Sequence, residues 1–341
     1  MAVLAFAIFV HSVNIGAAVA RFSHLHWQWV LLAMVLAGLS VIASIVEWGA
    51  LLRGLGKHIG WHYLGAWYKK GLFINQVLPA GVGSDAVRAV QVGRSIGHGP
   101  VIASLVGSRM AGTLGMALWG LTGALLSSTV FHTTDVVGFA AFSGAMLLAW
   151  GLALVAEKGF ARLHGGAQSG PLRMTHQLSE RFGSFLRSLG HFRGVPRAVL
   201  LSVVAGGVGW GLNLLSMEAF SRALGYNIPW GVFAVALPIA LLVTFVPISA
   251  NGIGLREGVL VLLLVQFHVP AAVAAAMALF MDFQLLPFAV MGGVVHLAEV
   301  TVHRAYQRLF QCGHMGSLLG PAHAALHWMV APEAIGEISR G

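Results

Sequence analysis

Two stretches of this 341-residue chain set opposite charges beside proline and glycine inside otherwise apolar sequence. The first reads NQVLPAGVGSDAVR, Asn75 to Arg88, and the second TFVPISANGIGLREGVLVLLLV, Thr244 to Val265. Each has a proline (Pro79, Pro247), then Gly-x-Gly (Gly81 and Gly83; Gly252 and Gly254), then a carboxylate and an arginine close together (Asp85 and Arg88; Arg256 and Glu257). A guanidinium grips phosphate or carboxylate through two parallel N–H bonds. A half-helix starting after the glycines adds free backbone N–H groups, and these attract an anion. Arg88 and Arg256 therefore read as anion-binding groups, held by Asp85 and Glu257 when no ligand is present. Asn75, Ser249 and Asn251 would supply neutral hydrogen bonds. Arg109 is expected to face the same cavity from a neighbouring helix, and Asp282, in mid-span, is a candidate for proton or ion coupling. The plainer reading is that each pair only neutralises itself. Charge within a membrane is costly and usually marks function, which favours the site reading.

Other chemistries find less support. The 16 histidines include ligand-like spacings at His24/His26, His58/His62 and His323/His327, but none comes with clustered cysteines or carboxylates. His296, Glu299 and His303 share a helix face without forming an HExxH motif. No Walker loop, G-x-S-x-G elbow or nucleotide fingerprint occurs. No metal, cofactor, catalytic residue or nucleic-acid partner is expected, and the chain does not read as an enzyme. Glu47 and Glu299 fall near expected cytoplasmic ends, where snorkelling to water accounts for them.

The elements that must position these residues follow from composition. Apolar residues make up 57% and charged residues only 9% of the chain, with a mean hydropathy of +0.82. A soluble domain carries about 25% charged residues, so this is an all-α polytopic membrane protein. One cysteine, Cys312, excludes a disulfide framework. Spans are expected at about 2–20, 28–50, 100–127, 136–156, 198–223 and 271–303. The tripeptide Ala18-Val19-Ala20 looks like a cleavage site, yet no basic region precedes the apolar run, so 2–20 is expected to stay as a helix.

The 20 Lys and Arg residues set the topology. Arg53, Lys57, Lys69, Lys70, Arg88 and Arg94 cluster early, seven basic residues lie between Glu157 and Arg197, and three follow His303. Segments 128–135, 224–230 and 266–270 have none. The positive-inside rule places the basic regions and both termini in the cytoplasm. Segments 61–97 and 231–266 then enter and leave on one side each, as re-entrant hairpins broken at their tips. Residues 1–127 and 136–303 each read as helix, helix, re-entrant hairpin, helix, in opposite orientations. That is an inverted repeat whose tips meet near the midplane. Two independent proline-kinked spans are the alternative. Loop 157–197 carries a helical face of Leu178, Phe182, Phe185, Leu186, Leu189 and Phe192 amid arginines, suited to the anionic leaflet or to packing under the bundle. Residues 304–341 read as a cytoplasmic tail.

Asn75-x-x-x-Pro79 with Gly83-x-Asp85-x-x-Arg88, then Arg109, then PISANGIGLREG, resembles the lysylphosphatidylglycerol synthase/flippase transmembrane-region family across about residues 1–305. It resembles the stand-alone members, without the synthase domain. The family often has Glu-Arg where this chain has Ser108-Arg109. The resemblance implies an inner-membrane flippase or scramblase that takes membrane lipids as partners. The lipid would bear an anionic or phosphate headgroup, or be of isoprenoid or hopanoid type. A membrane-embedded lipid-modifying enzyme using Glu257 or Asp282, a small-solute secondary transporter and a structural assembly protein are the competing readings.

Overall fold

Long apolar runs with few breakers form helices in lipid because every backbone N–H and C=O must be paired within the segment. The structure is a computed structural model and describes residues 25–77, 83–126, 192–242 and 254–311, with isolated positions between 137 and 148. These residues form α1 (Trp27–Gly54), α2 (Trp61–Val77), α3 (Gly83–Ile96), α4 (His98–Leu126), α5 (Pro196–Ala223), α6 (Trp230–Leu242), α7 (Leu255–Gln266), α8 (Ala271–Phe283) and α9 (Leu286–Gln311). A short 3-10 turn, Phe192–Gly194, leads into α5. Among the described residues there are four stretches long and apolar enough to cross a membrane: α1, α4, α5 and Ala271–Ala298. The chain is thus an all-helical membrane protein in its described part. The expected helix at 2–20, most of that at 136–156, the loop up to residue 191 with its amphipathic face, and the tail from 312 lie outside the described residues.

The central element is the antiparallel pair α1 and α5. At one end the His26 N–H donates to the Ala223 carbonyl at 3.1 Å. At the other, Gly54 meets Val195 and Ala198 so closely that a Cβ there would stand 2.8 Å from the Ala198 side chain. Each helix has 28 residues, or about 42 Å at 1.5 Å per residue, which exceeds a hydrocarbon layer of about 30 Å. Arg53 stacks over Trp61 at 3.6 Å beside one end of the pair, and Arg222 lies 5.0 Å from the Trp29 ring beside the other. Outward faces are stripes of exposed apolar side chains: Leu31, Val35, Leu39 and Ile42 on α1; Leu200, Val204 and Val208 on α5; Val290, Val294 and Leu297 on α9. Such continuous apolar surface is rare on soluble monomers and suits acyl chains.

Around this pair, α4 packs on α5 and α6, while α2 packs on α9; α2 pairs with α3, α3 with α4, α6 with α7, and α7 with α8. One apolar core gathers Phe233, Leu237, Leu260, Leu264 and Met277, with Phe220 and Phe280 stacked at 3.8 Å. A second gathers Trp48, Leu52, Leu64, Val92 and Val101. The α4–α5 crossing is set by small residues: a Cβ on Gly115 would lie 2.9 Å from the backbone of Gly207. The Trp119 Nε1–H then reaches the Gly207 carbonyl at 2.7 Å.

Two details were not expected. The stretch expected as a span over 271–303 is long and apolar enough to cross at Ala271–Ala298, and it carries a two-residue turn between α8 and α9. Pro287, the second residue of α9, lacks the N–H that would bond the carbonyl of Phe283. Lys70, counted with the cytoplasmic charges, lies within α2 and is only 2% exposed.

Gly115→Val should lower the thermal midpoint in detergent by an amount corresponding to about 1–3 kcal/mol, because the backbone in contact cannot yield. Gly207→Ala, where a Cβ would meet nothing within 4 Å, should leave the midpoint unchanged or raise it slightly.

Candidate functional site

Where α1, α2, α5, α7 and the α8–α9 break converge, the helices leave a part-open cavity of about 260 Å³. Its polar lining includes Ser40 and Glu47 from α1, Tyr68 from α2, Asn213 from α5, Arg256 from α7 and Gln284 from the break. The break explains Gln284. Its side chain is 2% exposed, its amide donates to the Met281 carbonyl at 3.3 Å, and its Oε1 lies 3.1 Å from the Ser216 hydroxyl of α5. Ser216 also lies 2.8 Å from the Ala33 carbonyl of α1.

Arg256 is the cationic group of this lining. Its Nε stands 3.2 Å from Oε1 of Glu257, and its Nη2 is hydrogen-bonded to Oδ1 of Asp282. The start of α7 explains the register. Gly254 has a φ of +85°, a conformation that side chains with a Cβ adopt only under strain. Glu257, 3% exposed, turns back to accept from the Gly254 N–H. That contact satisfies an otherwise orphaned helix-start donor, as in one half of a capping box. One glutamate thus fixes both the helix start and the arginine that follows it.

The first motif builds a second cluster. Asp85, in the first turn of α3, receives Nη2 of Arg88 at 2.5 Å through one oxygen and Nε of Arg109, from α4, at 2.7 Å through the other. Arg88 is 8% exposed and also donates to the Ser84 carbonyl at 3.1 Å. Its guanidinium stands 5.1 Å from the Trp48 ring and 5.0 Å from the Tyr68 ring, within cation–π range. Tyr68 links the two sites, because the same ring lines the cavity and is hydrogen-bonded to Ser44 of α1.

The structure therefore brings Asp85, Arg88 and Arg109 together, and separately Gly254, Arg256, Glu257 and Asp282. Arg256 faces the cavity; Arg88 reaches it through Tyr68. Gly83 opens α3, and Asn75 lies in α2 with its Oδ1 buried and without a hydrogen-bond partner among the described residues. Pro79, Gly81, Pro247, Ser249, Asn251 and Gly252 lie outside the described residues.

Sequence reasoning missed Glu47. It does not snorkel: it is 6% exposed at the crossing of α1, α4 and α5. Ser108 donates to its Oε1 at 3.0 Å, and the Gly112 backbone is its second partner. Built Cβ atoms on Gly112 and Gly206 would stand 3.4 and 3.3 Å from its carboxyl group, so two glycines leave the notch it occupies. Tyr68, Asn213 and Gln284 were also missed, since an isolated polar residue in an apolar run has no distinguishing neighbour. For Glu47 a signal existed: a carboxylate inside an apolar span with closely spaced glycines on other spans.

These features define a class: a polytopic helical membrane protein with ion-paired arginines in its bundle, one of them lining a polar cavity. Within that class, the chain belongs to the lysylphosphatidylglycerol synthase TM region family, whose match covers residues 1–293. No curated protein matches it.

Glu257→Ala should lower stability by about 1–2 kcal/mol, since it strands the buried Gly254 N–H and loosens Arg256. Thermal unfolding in detergent checks this, and Glu257→Gln should recover part of the loss.

Proposed function

We propose that this protein moves a lipid between leaflets, as a flippase or scramblase of the cytoplasmic membrane, by taking the headgroup into the cavity beside Arg256. The observation that carries the reading is a cationic, hydrogen-bonding cavity inside a bundle whose outer faces are apolar. The headgroup can sit among polar side chains while its tails stay in hydrocarbon. A phosphate or other anionic group would take the place of the Asp282 carboxylate on Arg256, exchanging one charge-assisted bond for another. Arg88, held behind Tyr68, and the half-helix starting at Leu255 add positive potential on the same ligand. Membership of a lipid-associated family supports the lipid, and the choice between phosphate-bearing and isoprenoid lipids is made by the assay below.

The inverted repeat enters as part of this proposal. Exchanging the halves maps α1 onto α5, α2–α3 onto α6–α7, and α4 onto α8–α9. Two sets of pairings support the exchange: α2 on α9 answers α6 on α4, and α3 on α4 answers α7 on α8. Such pseudo-symmetry supports alternating access by rocking one half against the other around the α1–α5 pair. In this reading α2–α3 and α6–α7 are the re-entrant hairpins.

The test is leaflet translocation of labelled lipids in proteoliposomes. Arg256→Ala should slow movement of an anionic phospholipid at least about tenfold, the equivalent of one charged hydrogen bond. Asp282→Asn should increase the affinity for that lipid a few-fold, because the competing carboxylate is gone. A wild type that moves no lipid above empty liposomes, but forms a modified lipid in detergent, would overturn the transport reading in favour of an enzyme. Uptake of water-soluble solutes into sealed vesicles would instead indicate a small-solute transporter.

A further inference from the structure

We infer that Glu47 is a proton-binding site that couples cavity opening to proton movement, a role that rests on the transport reading above. The argument is one of hydrogen-bond valence. An arginine N–H and a backbone N–H can only donate, so a carboxyl group whose partners are these is matched in its ionised form. Asp85 receives Arg88 and Arg109, Asp282 receives Arg256, and Glu257 receives Arg256 and the Gly254 N–H. Each is committed to a fixed donor.

Glu47 differs. Its direct side-chain partner is the Ser108 hydroxyl at 3.0 Å, and its second partner is the backbone at Gly112. A hydroxyl both donates and accepts. Ionised, Glu47 accepts from Ser108. Protonated, it donates its new O–H to the Ser108 oxygen, and the Ser108 hydroxyl hydrogen turns to the carbonyl one helical turn back. Neither state leaves a buried polar atom stranded, which is the condition for a group to change charge without unpacking its surroundings.

The surroundings let such a change be felt. From α3 and α4, Arg88 and Arg109 act on Glu47 through space, and Asp85 joins those two arginines. From α2, Tyr68 shares the cavity wall and stacks near Arg88. From α5 come Gly206 and Trp210, which carry no charge, and from α7 comes Arg256 across the cavity. The glycine notch at 112 and 206 holds the carboxyl at the crossing of α1, α4 and α5, helices drawn from both halves of the bundle. A proton arriving from water in the open cavity binds a Glu47 carboxylate oxygen and removes one negative charge at that crossing. It leaves to water when the cavity opens on the other side. No other reactant is needed.

Two measurements on the full chain test this. In proteoliposomes with an imposed pH gradient, wild-type translocation should change at least about fivefold relative to no gradient, the lower end of ordinary site-to-site coupling. Glu47→Gln should bring that ratio to one, whereas Glu218→Gln, which changes a carboxylate paired with Arg222 outside the cavity lining, should keep it. In detergent, infrared difference spectra should show the carbonyl stretch of a protonated carboxylic acid growing as pH falls. The band should vanish in Glu47→Gln and move in Ser108→Ala. A band that persists in Glu47→Gln overturns the assignment, as does a wild type without the band at any pH where it stays folded. A gradient response that survives in Glu47→Gln, or a wild type that transports without one, overturns the coupling. If the wild type moves no lipid, the transport reading fails, and coupling with it; the infrared titration then decides whether Glu47 is a proton site at all.

Discussion

Every buried charge in this bundle must find a partner within hydrogen-bond reach, because an uncompensated ion in a low-dielectric layer costs several kcal/mol even after relaxation. That single constraint organises the interior. It sets the buried Arg88 of α3 against Asp85, a carboxylate that the exposed Arg109 of α4 also reaches, and joins α7 to α8 through Arg256 and Asp282. Helices that have little apolar driving force to associate in lipid are thereby tied at defined heights. Beside the apolar cores, small-residue crossings such as Gly115 on Gly207 let the helices come close enough for those ties to form.

The same constraint explains why polar groups collect in one place. Ser40, Tyr68, Asn213 and Gln284 have donors and acceptors that hydrocarbon cannot satisfy, so they turn toward a shared cavity. The cavity and the ion pairs are two results of one rule. Paired groups such as Arg256 and Gln284 share the lining, so a polar ligand or water there meets side chains already held in place by their partners. Tyr68 links the lining to the ion pairs, with its ring against Arg88 and its hydroxyl bonded to Ser44.

Much of this was legible in the sequence. The charge pairs stood out against apolar flanks, so Asp85, Arg88, Arg109, Arg256, Glu257 and Asp282 were all singled out. What escaped depended on partners distant in sequence. Asp282 and Arg256 are paired across a helix turn that no local pattern records, so the two appeared as separate candidates. Glu47 looked like a terminal residue because its depth is set by how far α1 extends beside α5, and its notch is made by glycines on two other helices. Lys70 was counted with the cytoplasmic charges by the positive-inside rule, which records the side of the membrane and not the burial that packing in α2 gives it. The α8–α9 break was hidden because Pro287, with Asp282 and Gln284 close before it, lies in a stretch apolar enough overall to read as one span. The family resemblance rested on the motif residues and held across residues 1–293.

The paired ends of α1 and α5 have a consequence for the membrane around them. Arg53 over Trp61 and Arg222 beside Trp29 place an amphipathic aromatic and a cation near each end of a pair longer than the hydrocarbon layer. Rings of this kind settle at the headgroup level, so the two ends act as depth markers a fixed distance apart. A thinner bilayer must tilt the pair or thicken around it. The helices on which the cavity is hung therefore register the thickness of the surrounding lipid, and the protein's setting is tuned by the membrane whose composition it touches.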